Sequence, residues 1–267
     1  MKTSVMKACG PVLILGLAVL FPSCVLNLVD YAGPSVPRNA FHETYSLQPG
    51  GTVQVINTEG NIEIRGWEHD EVEITAQAEY SPSFRPGLTI SSWSLPRPRI
   101  QVERFEDFIK IKSPTVGEGE GPGPIHYILN VPKSINLNEI RNKRGAITVT
   151  DVFGKTVIDL GEGSLRVENF SGSLDATVDL GEVEAELLDL REEDEIRITT
   201  RRGDITIYLQ PEVDARLEAS APQGSVDCDF DLGPVLSANE ISGAIGAGKT
   251  PILLSALSGD IAVRKND

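Results

Sequence analysis

The sequence is poor in the residues from which active sites and metal centres are made. Of 267 residues, three are cysteine and three are histidine. Cys9 and Cys24 lie near the N-terminus, so Cys228 stands alone in the rest of the chain and no disulfide framework forms. A Cys24–Cys228 bridge would need an unmodified Cys24, and Cys228 reads as a small inward-facing apolar side chain. His42, His69 and His126 are not at metal-ligand spacing and have no cysteine near them. No Gly-x-Ser-x-Gly elbow occurs. Basic residues are also scarce, 24 against 39 acidic, for a net charge of −15. The lack of a basic tract argues against binding to nucleic acid and against electrostatic attachment to anionic lipid.

Long apolar runs are missing too. Ala8 to Phe21 is a run of fourteen uncharged, largely apolar residues, and because no charge appears until Asp30 an uncleaved anchor is the alternative to a cleaved signal. A membrane span needs about 20. Behind the basic Lys2 and Lys7, that run has the size of a secretory signal core, and residues 1–23 read as a signal peptide. Leu20-Phe-Pro-Ser-Cys24 resembles a lipobox, with Ser23 before Cys24 in place and Pro22 off pattern. The resemblance implies lipidation of Cys24, which would tether the protein to a membrane through its N-terminus alone. Without Lys2 and Lys7, the processed chain would carry 22 basic and 39 acidic residues. Residues 24–40, with Pro34 and Pro37, read as a linker.

From Phe41 onward the pattern is alternation of period two. Thr52-Val-Gln-Val-Ile-Asn57, Asn61-Ile-Glu-Ile-Arg65 and Glu71-Val-Glu-Ile-Thr75 are short, β-branched and bounded by turn residues. Each predicts a strand. A helical period is absent, and the nearest candidate, Glu184 to Glu195, reads equally as a strand followed by an acidic turn. Residues 41–134 thus form N-terminal strands and hairpins, with Glu106-Asp107 as one hairpin turn. They are interrupted by a proline-rich insertion at 81–98. Tyr80, Phe84 and Trp93 in and beside that insertion are the candidates for a contact surface. Folding of Trp93 over an open end of the molecule is the competing expectation.

Residues 135–267 repeat. Glycines fall at 145, 154, 163, 172 and 181, nine apart. Gly145-Ala-Ile-Thr-Val149 recurs as Gly163-Ser-Leu-Arg-Val167 and Gly203-Asp-Ile-Thr-Ile207. Gly224, Gly243 and Gly259 begin further copies, and Gly60-Asn-Ile-Glu-Ile64 precedes them. Asp159-Leu-Gly-Glu162 returns as Asp179-Leu-Gly-Glu182. A unit of about twenty residues with two or three strands predicts one coil of an all-β solenoid, continuous with the preceding strands. A β-sandwich is the alternative. The order of these motifs, from Phe41 and Gly50-Gly-Thr-Val-Gln-Val-Ile-Asn-Thr-Glu-Gly-Asn-Ile-Glu-Ile64 through Val131-Pro-Lys133 to Leu253-Leu-Ser-Ala-Leu-Ser-Gly-Asp-Ile-Ala-Val263, resembles a bacterial putative-adhesin domain family of unknown function. The resemblance implies a stacked β-solenoid and adhesion, and supplies no catalytic residues.

Three motifs hint at chemistry. Gly243-Ala-Ile-Gly-Ala-Gly-Lys-Thr250 satisfies the phosphate-loop pattern, but too little chain follows for the sheet such a loop serves, and it reads as a Gly-rich turn. Asp159 with Asp179, and Glu162 with Glu182, would stack one coil apart and could recruit a cation. The plainer reading is a solvated acidic face. Asp204 beside Arg201 and Arg202, with Asp227 and Asp229 expected one coil on, is the nearest approach to a glycosidase-like cluster. No cofactor or metal is expected. The favoured reading is a non-enzymatic cell-envelope protein touching another envelope protein or a surface glycan. A polysaccharide-acting enzyme and a sensory module coupled to a membrane partner are the alternatives.

Overall fold

Period-two alternation builds almost the whole molecule. The computed structural model describes residues 40–79, 98–114, 123–232 and 237–266. Among them there are twenty strands and no helix. The strands form two ten-stranded sheets that are not closed into a barrel.

Each coil gives one strand to each sheet. The pairs are β2 (Thr52–Glu59) with β3 (Ile62–Trp67), β6 (Phe108–Lys112) with β7 (Ile125–Pro132), and β8 (Asn136–Arg144) with β9 (Ile147–Thr150). They continue as β10 (Thr156–Glu162) with β11 (Leu165–Phe170), β12 (Leu174–Leu180) with β13 (Val183–Leu187), and β14 (Ile196–Arg202) with β15 (Ile205–Leu209). The last are β16 (Ala215–Ser220) with β17 (Val226–Cys228) and β19 (Thr250–Ser258) with β20 (Ile261–Lys265). Coil stacks on coil through parallel pairing, for example β10 on β12 and β11 on β13.

Order in space departs from order in sequence at both ends. The coil β2–β3 lies between β6–β7 and β8–β9. Likewise β19–β20 inserts between β14–β15 and β16–β17. Antiparallel strands terminate the sheets. In the first sheet, β4 (Glu71–Ala78) and then β1 (Phe41–Ser46) follow β7. In the second, β5 (Gln101–Arg104) follows β6 and β18 (Glu240–Ile245) follows β16. Glu106 and Asp107 form the predicted β5–β6 turn.

The core is the space between the sheets. Ile140, Ile158, Ala176, Ile198 and Leu254 occupy one register column, facing the column Ile64, Val149, Val167, Ala185, Ile207 and Val263. All are buried. Each fully buried Ile, Leu or Val contributes about 1.5–3 kcal/mol, which no single coil could collect alone.

The nine-residue glycine beat resolves into two columns, one at each turn of the coil. In the first, Gly60, Gly145, Gly163, Gly181, Gly203, Gly259 and Gly224 stack in that order. In the second, Gly172 lies on Gly154. At Gly181, φ is +142° and a Cβ would sit 1.7 Å from the Gly163 carbonyl oxygen, so only glycine lets the coils approach to about 4.8 Å. The coil is therefore eighteen residues from Gly145 to Gly163 and to Gly181, and twenty-two from Gly181 to Gly203, rather than a uniform twenty. The four extra residues fall in the acidic turn after β13, where no helix forms. Gly243 is not part of the column. It lies inside antiparallel β18, opposite Leu217.

One polar cluster interrupts the apolar interior. Ser113 Oγ donates to Asn57 Oδ1 at 2.6 Å and lies 2.8 Å from the Tyr127 hydroxyl. Asn57 Nδ2 donates to the Ile125 carbonyl at 3.0 Å. In the next coil Asn142 Nδ2 donates to the Gly60 carbonyl at 2.8 Å. These side chains bond the backbone where the first glycine column turns.

Candidate functional site

Because side chains alternate along each strand, the outward half of every strand forms two broad faces. Their chemistry follows from register. Arg141 pairs with Asp159, and Arg166 with Glu184, at Nε–Oδ2 3.1 Å and Nη2–Oε2 2.7 Å. Exposed pairs of this kind are worth ~0–1 kcal/mol each, but they neutralise the faces locally.

This register overturns the stacked-carboxylate expectation. With an eighteen-residue coil, Asp159 lies beside Thr177 and Glu162 beside Leu180, not beside Asp179 and Glu182. Asp179 instead faces Arg201 at 3.5 Å. No cluster of three or more His, Cys, Asp or Glu suited to a metal exists among the described residues.

The glycosidase-like trio is likewise not brought together. The inserted β20 separates β15 from β17, so Asp204 and Asp227 are two coils apart. Asp204 Oδ1 accepts the Asp260 amide at 2.8 Å, joining two turns. Asp260 in turn accepts the Ser225 amide and hydroxyl at 2.7 and 2.9 Å. Those bonds hold its carboxyl below the usual carboxylate range. Asp227 and Asp229 grip Arg264 at 2.8 and 3.1 Å, and the pairing pushes the guanidinium pKa further up.

The phosphate-loop motif forms a strand, a turn and a strand. β18 ends at Ile245, Gly246 and Gly248 adopt φ of +59° and +68°, and Thr250 begins β19. Asp214 Oδ1 accepts the Ala247 amide at 2.7 Å. A carboxylate thus stands where a phosphate would need to sit, and no helix follows. Lys249 Nζ lies 3.7 Å from Glu192.

The histidines are separate surface residues. His42 Nδ1 lies 3.0 Å from Thr75 Oγ1. His126 Nδ1 accepts the Asn61 amide at 3.1 Å, which leaves Nε2–H facing Glu79 at 3.0 Å. His69 meets the Trp67 ring edge-on. Cys228 faces inward, half-buried, and burial pushes its thiol pKa up. Cys24, Tyr80, Phe84 and Trp93 lie outside the described residues.

What the alternation did not flag is a groove on the outer face of the second sheet. It is an open depression of about 700 Å³ where β14, β19, β16 and β18 meet. Thr199, Ser220, Ser242 and Ser255 line it with hydroxyls, Arg197, Glu218 and Glu240 with charge, and Leu253 with apolar surface. Arg197 Nη2 donates to Glu195 at 2.6 Å, so its guanidinium is held at the groove wall. Neither histidine nor cysteine lines it. The groove can exchange many neutral hydrogen bonds, and the register sets Ser242 opposite Glu218 and Ser220 opposite Glu240. It escaped the sequence reading because β19 joins β14 and β16 across about fifty residues.

Residues 133–264 match the Toastrack DUF4097 family. No curated protein matches the chain. Among solved structures, the chain is similar to a putative cell adhesion protein from Clostridium sporogenes, at 16% identity, 85% of this chain, 100% of that chain and a TM-score of 0.49. It is also similar to a putative adhesin from Bacteroides fragilis, at 12% identity, 88% and 100% coverage and a TM-score of 0.34. A putative adhesin from Parabacteroides distasonis follows at 11% identity, 85% and 97% coverage and a TM-score of 0.28. Through residues 133–264, the chain carries a Toastrack domain of the DUF4097 family.

Proposed function

We propose that this chain is an exported cell-envelope protein with a non-catalytic, adhesion-like role. It presents the hydroxyl-rich groove of its second sheet to a surface glycan or an envelope protein. One observation carries this reading. The carboxylates that the sequence offered as an acid–base set are engaged elsewhere, Asp204 with a backbone amide and Asp227 and Asp229 with Arg264. General acid–base catalysis needs a positioned pair of such groups within reach of one substrate, whereas Asp204 lies two coils from Asp227 and Asp229, and those two are both bound to Arg264. The groove, by contrast, has the mixed hydroxyl, charged and apolar lining that a polyhydroxylated ligand can match. The apolar N-terminal run ending at Cys24 supports the envelope placement.

The test is retention of envelope polysaccharide on the immobilised full chain, with product analysis of the same mixture. Retention without new reducing ends, lost in Ser242→Arg and Ser255→Arg, is the expected result. New reducing ends that disappear in Asp204→Asn would sink the reading. Mass spectrometry of the mature N-terminus tests the export arm through an acyl group on Cys24.

A further inference from the structure

One amide of the parallel ladders is bonded by a side chain where a carbonyl would normally stand. At the start of β7 the Tyr127 amide donates to the Asn61 carbonyl at 2.8 Å. Regular parallel pairing would send the Asn61 amide back to the Ile125 carbonyl. That carbonyl is taken by Asn57 Nδ2 at 3.0 Å. The Asn61 amide donates instead to His126 Nδ1 at 3.1 Å. An imidazole nitrogen accepts a hydrogen bond only when it carries no proton. The fold therefore uses the neutral ring, with its proton on Nε2.

Nε2 is poorly served by this arrangement. It is shut off from water and makes no hydrogen bond, although Glu79 Oε1 lies 3.0 Å away. The other charged groups around the ring are already held. On one side, β4 sets neutral Gln77 opposite His126. On the other, Glu63 of β3 is bound by Arg65. Glu59, at the end of β2, is bound by Arg144 at 3.2 Å. Among the described residues, Glu79 is thus the carboxylate beside the ring that has no other cation.

We propose that His126 is a proton-sensitive clasp between β7 and the β2–β3 turn. Neutral, the ring stands in for a ladder carbonyl. Once protonated, Nδ1 becomes a donor and meets the Asn61 N–H head-on, while the positive ring is drawn to Glu79. The ring leaves the turn, and the Asn61 amide loses its partner. Imidazole ordinarily changes charge between about pH 5 and 8, so mild acidification is the signal. Asn61 matters because it joins three coils. Its amide and carbonyl reach β7, and its Oδ1 accepts the Ala146 amide at 3.0 Å. The clasp lies on the first sheet, apart from the groove, so either assignment can fail without the other.

Nitrogen NMR of the isotope-labelled full chain, with hydrogen exchange, tests this. At about pH 8 the ring should show the Nε2–H tautomer and a scalar coupling between the Asn61 amide nitrogen and Nδ1. At about pH 5 the ring should be protonated and the coupling gone. Protection of the Asn61 amide should fall about tenfold, the equivalent of one hydrogen bond. The Ile62 amide, bonded to the Ala146 carbonyl at 2.9 Å, should keep its protection. His126→Asn sets an oxygen that takes no proton near the Nδ1 position, so Asn61 should stay protected throughout. Glu79→Gln should keep the bond and move its loss to lower pH, because the protonated ring loses its counter-charge. A ring still neutral at the acid end, or a protonated ring with Asn61 protection unchanged, overturns the proposal. So does a loss shared by Ile62 or by His126→Asn, which would mark general acid opening of the stack.

Discussion

Replacing Gly181 with alanine tests the glycine column more sharply than removing any apolar side chain would. Two costs combine at that position. The backbone is at φ +142°, which a residue with a Cβ reaches only with strain of about 1–3 kcal/mol. The Cβ would also lie 1.7 Å from the Gly163 carbonyl oxygen, so the two coils must part locally. Parting them stretches the bonds from the Gly163 amide to Leu180 and from the Leu165 amide to Glu182, both 2.9 Å. Each lost bond costs about 0.5–1.5 kcal/mol net. The expected loss is about 4 kcal/mol, a large share of the ~5–15 kcal/mol that holds a domain together. Gly50→Ala is the control, because Gly50 also has positive φ, +85°, but nothing within 4 Å of a Cβ. It should lose only about 1–2 kcal/mol. Urea unfolding gives the totals. Native-state hydrogen exchange at Gly163 and Leu165 gives the location, with about a thousandfold acceleration in Gly181→Ala. Equal losses in the two variants would refute the reasoning, since both have positive φ and only Gly181 meets the neighbouring coil.

Other expectations follow from the same structure. Asp260→Asn should remove a pH dependence. The folded carboxyl is held low, so its contribution is present above the ordinary carboxylate range near pH 4 and is lost as pH falls through the folded value; Ser225 amide exchange measured from pH 6 to 2 should show that loss only in the wild type. The phenol of Tyr127 is pushed up by burial, and the native state therefore holds its proton above pH 10 while the unfolded state releases it. Stability should fall as pH rises beyond about 10, and Tyr127→Phe should flatten that fall in alkaline urea titrations while costing ~1 kcal/mol near neutrality for the lost Ser113 contact. Lys249→Ala should leave the melting temperature within about 1 °C, as expected for an exposed pair, and ATP should stabilise neither protein; an ATP-dependent rise that the variant abolishes would restore the phosphate-loop reading.

The sequence revealed local structure better than neighbourhood. Alternation marked β2, β3 and β4 because inward Val and Ile alternate with polar residues that need water. The glycine beat marked the turns because no other residue tolerates the contact between stacked coils. What stayed hidden depends on which coil lies against which. The Asp159 and Asp179 repeat is twenty residues long, whereas the coil there is eighteen, so the motif drifts by two residues and its carboxylates meet Thr177 and Arg201 instead. The insertion of β19–β20 beside β14–β15 leaves no local trace. It separates Asp204 from Asp227 and creates the groove. One cue was available: Asn57 and Asn142 each stand three residues before a column glycine, where a buried amide bonds the turning backbone.

That insertion of β19–β20 is what separates Asp204 from Asp227 and builds the groove, so it is the claim to test directly. In a Cys228→Ser background, cysteines at 199 and 255 occupy paired positions on β14 and β19, one strand spacing of about 4.8 Å apart. Cysteines at 199 and 220 would be two spacings apart, because Ser220 pairs with Ser255 on the far side of β19. Disulfides require Cα atoms within about 7 Å. Mild oxidation, read by mass spectrometry of non-reduced peptides, should therefore cross-link Thr199→Cys with Ser255→Cys and leave Thr199→Cys with Ser220→Cys reduced. A cross-link between 199 and 220 with none between 199 and 255 would mean that the coils stack in chain order, and would contradict the account.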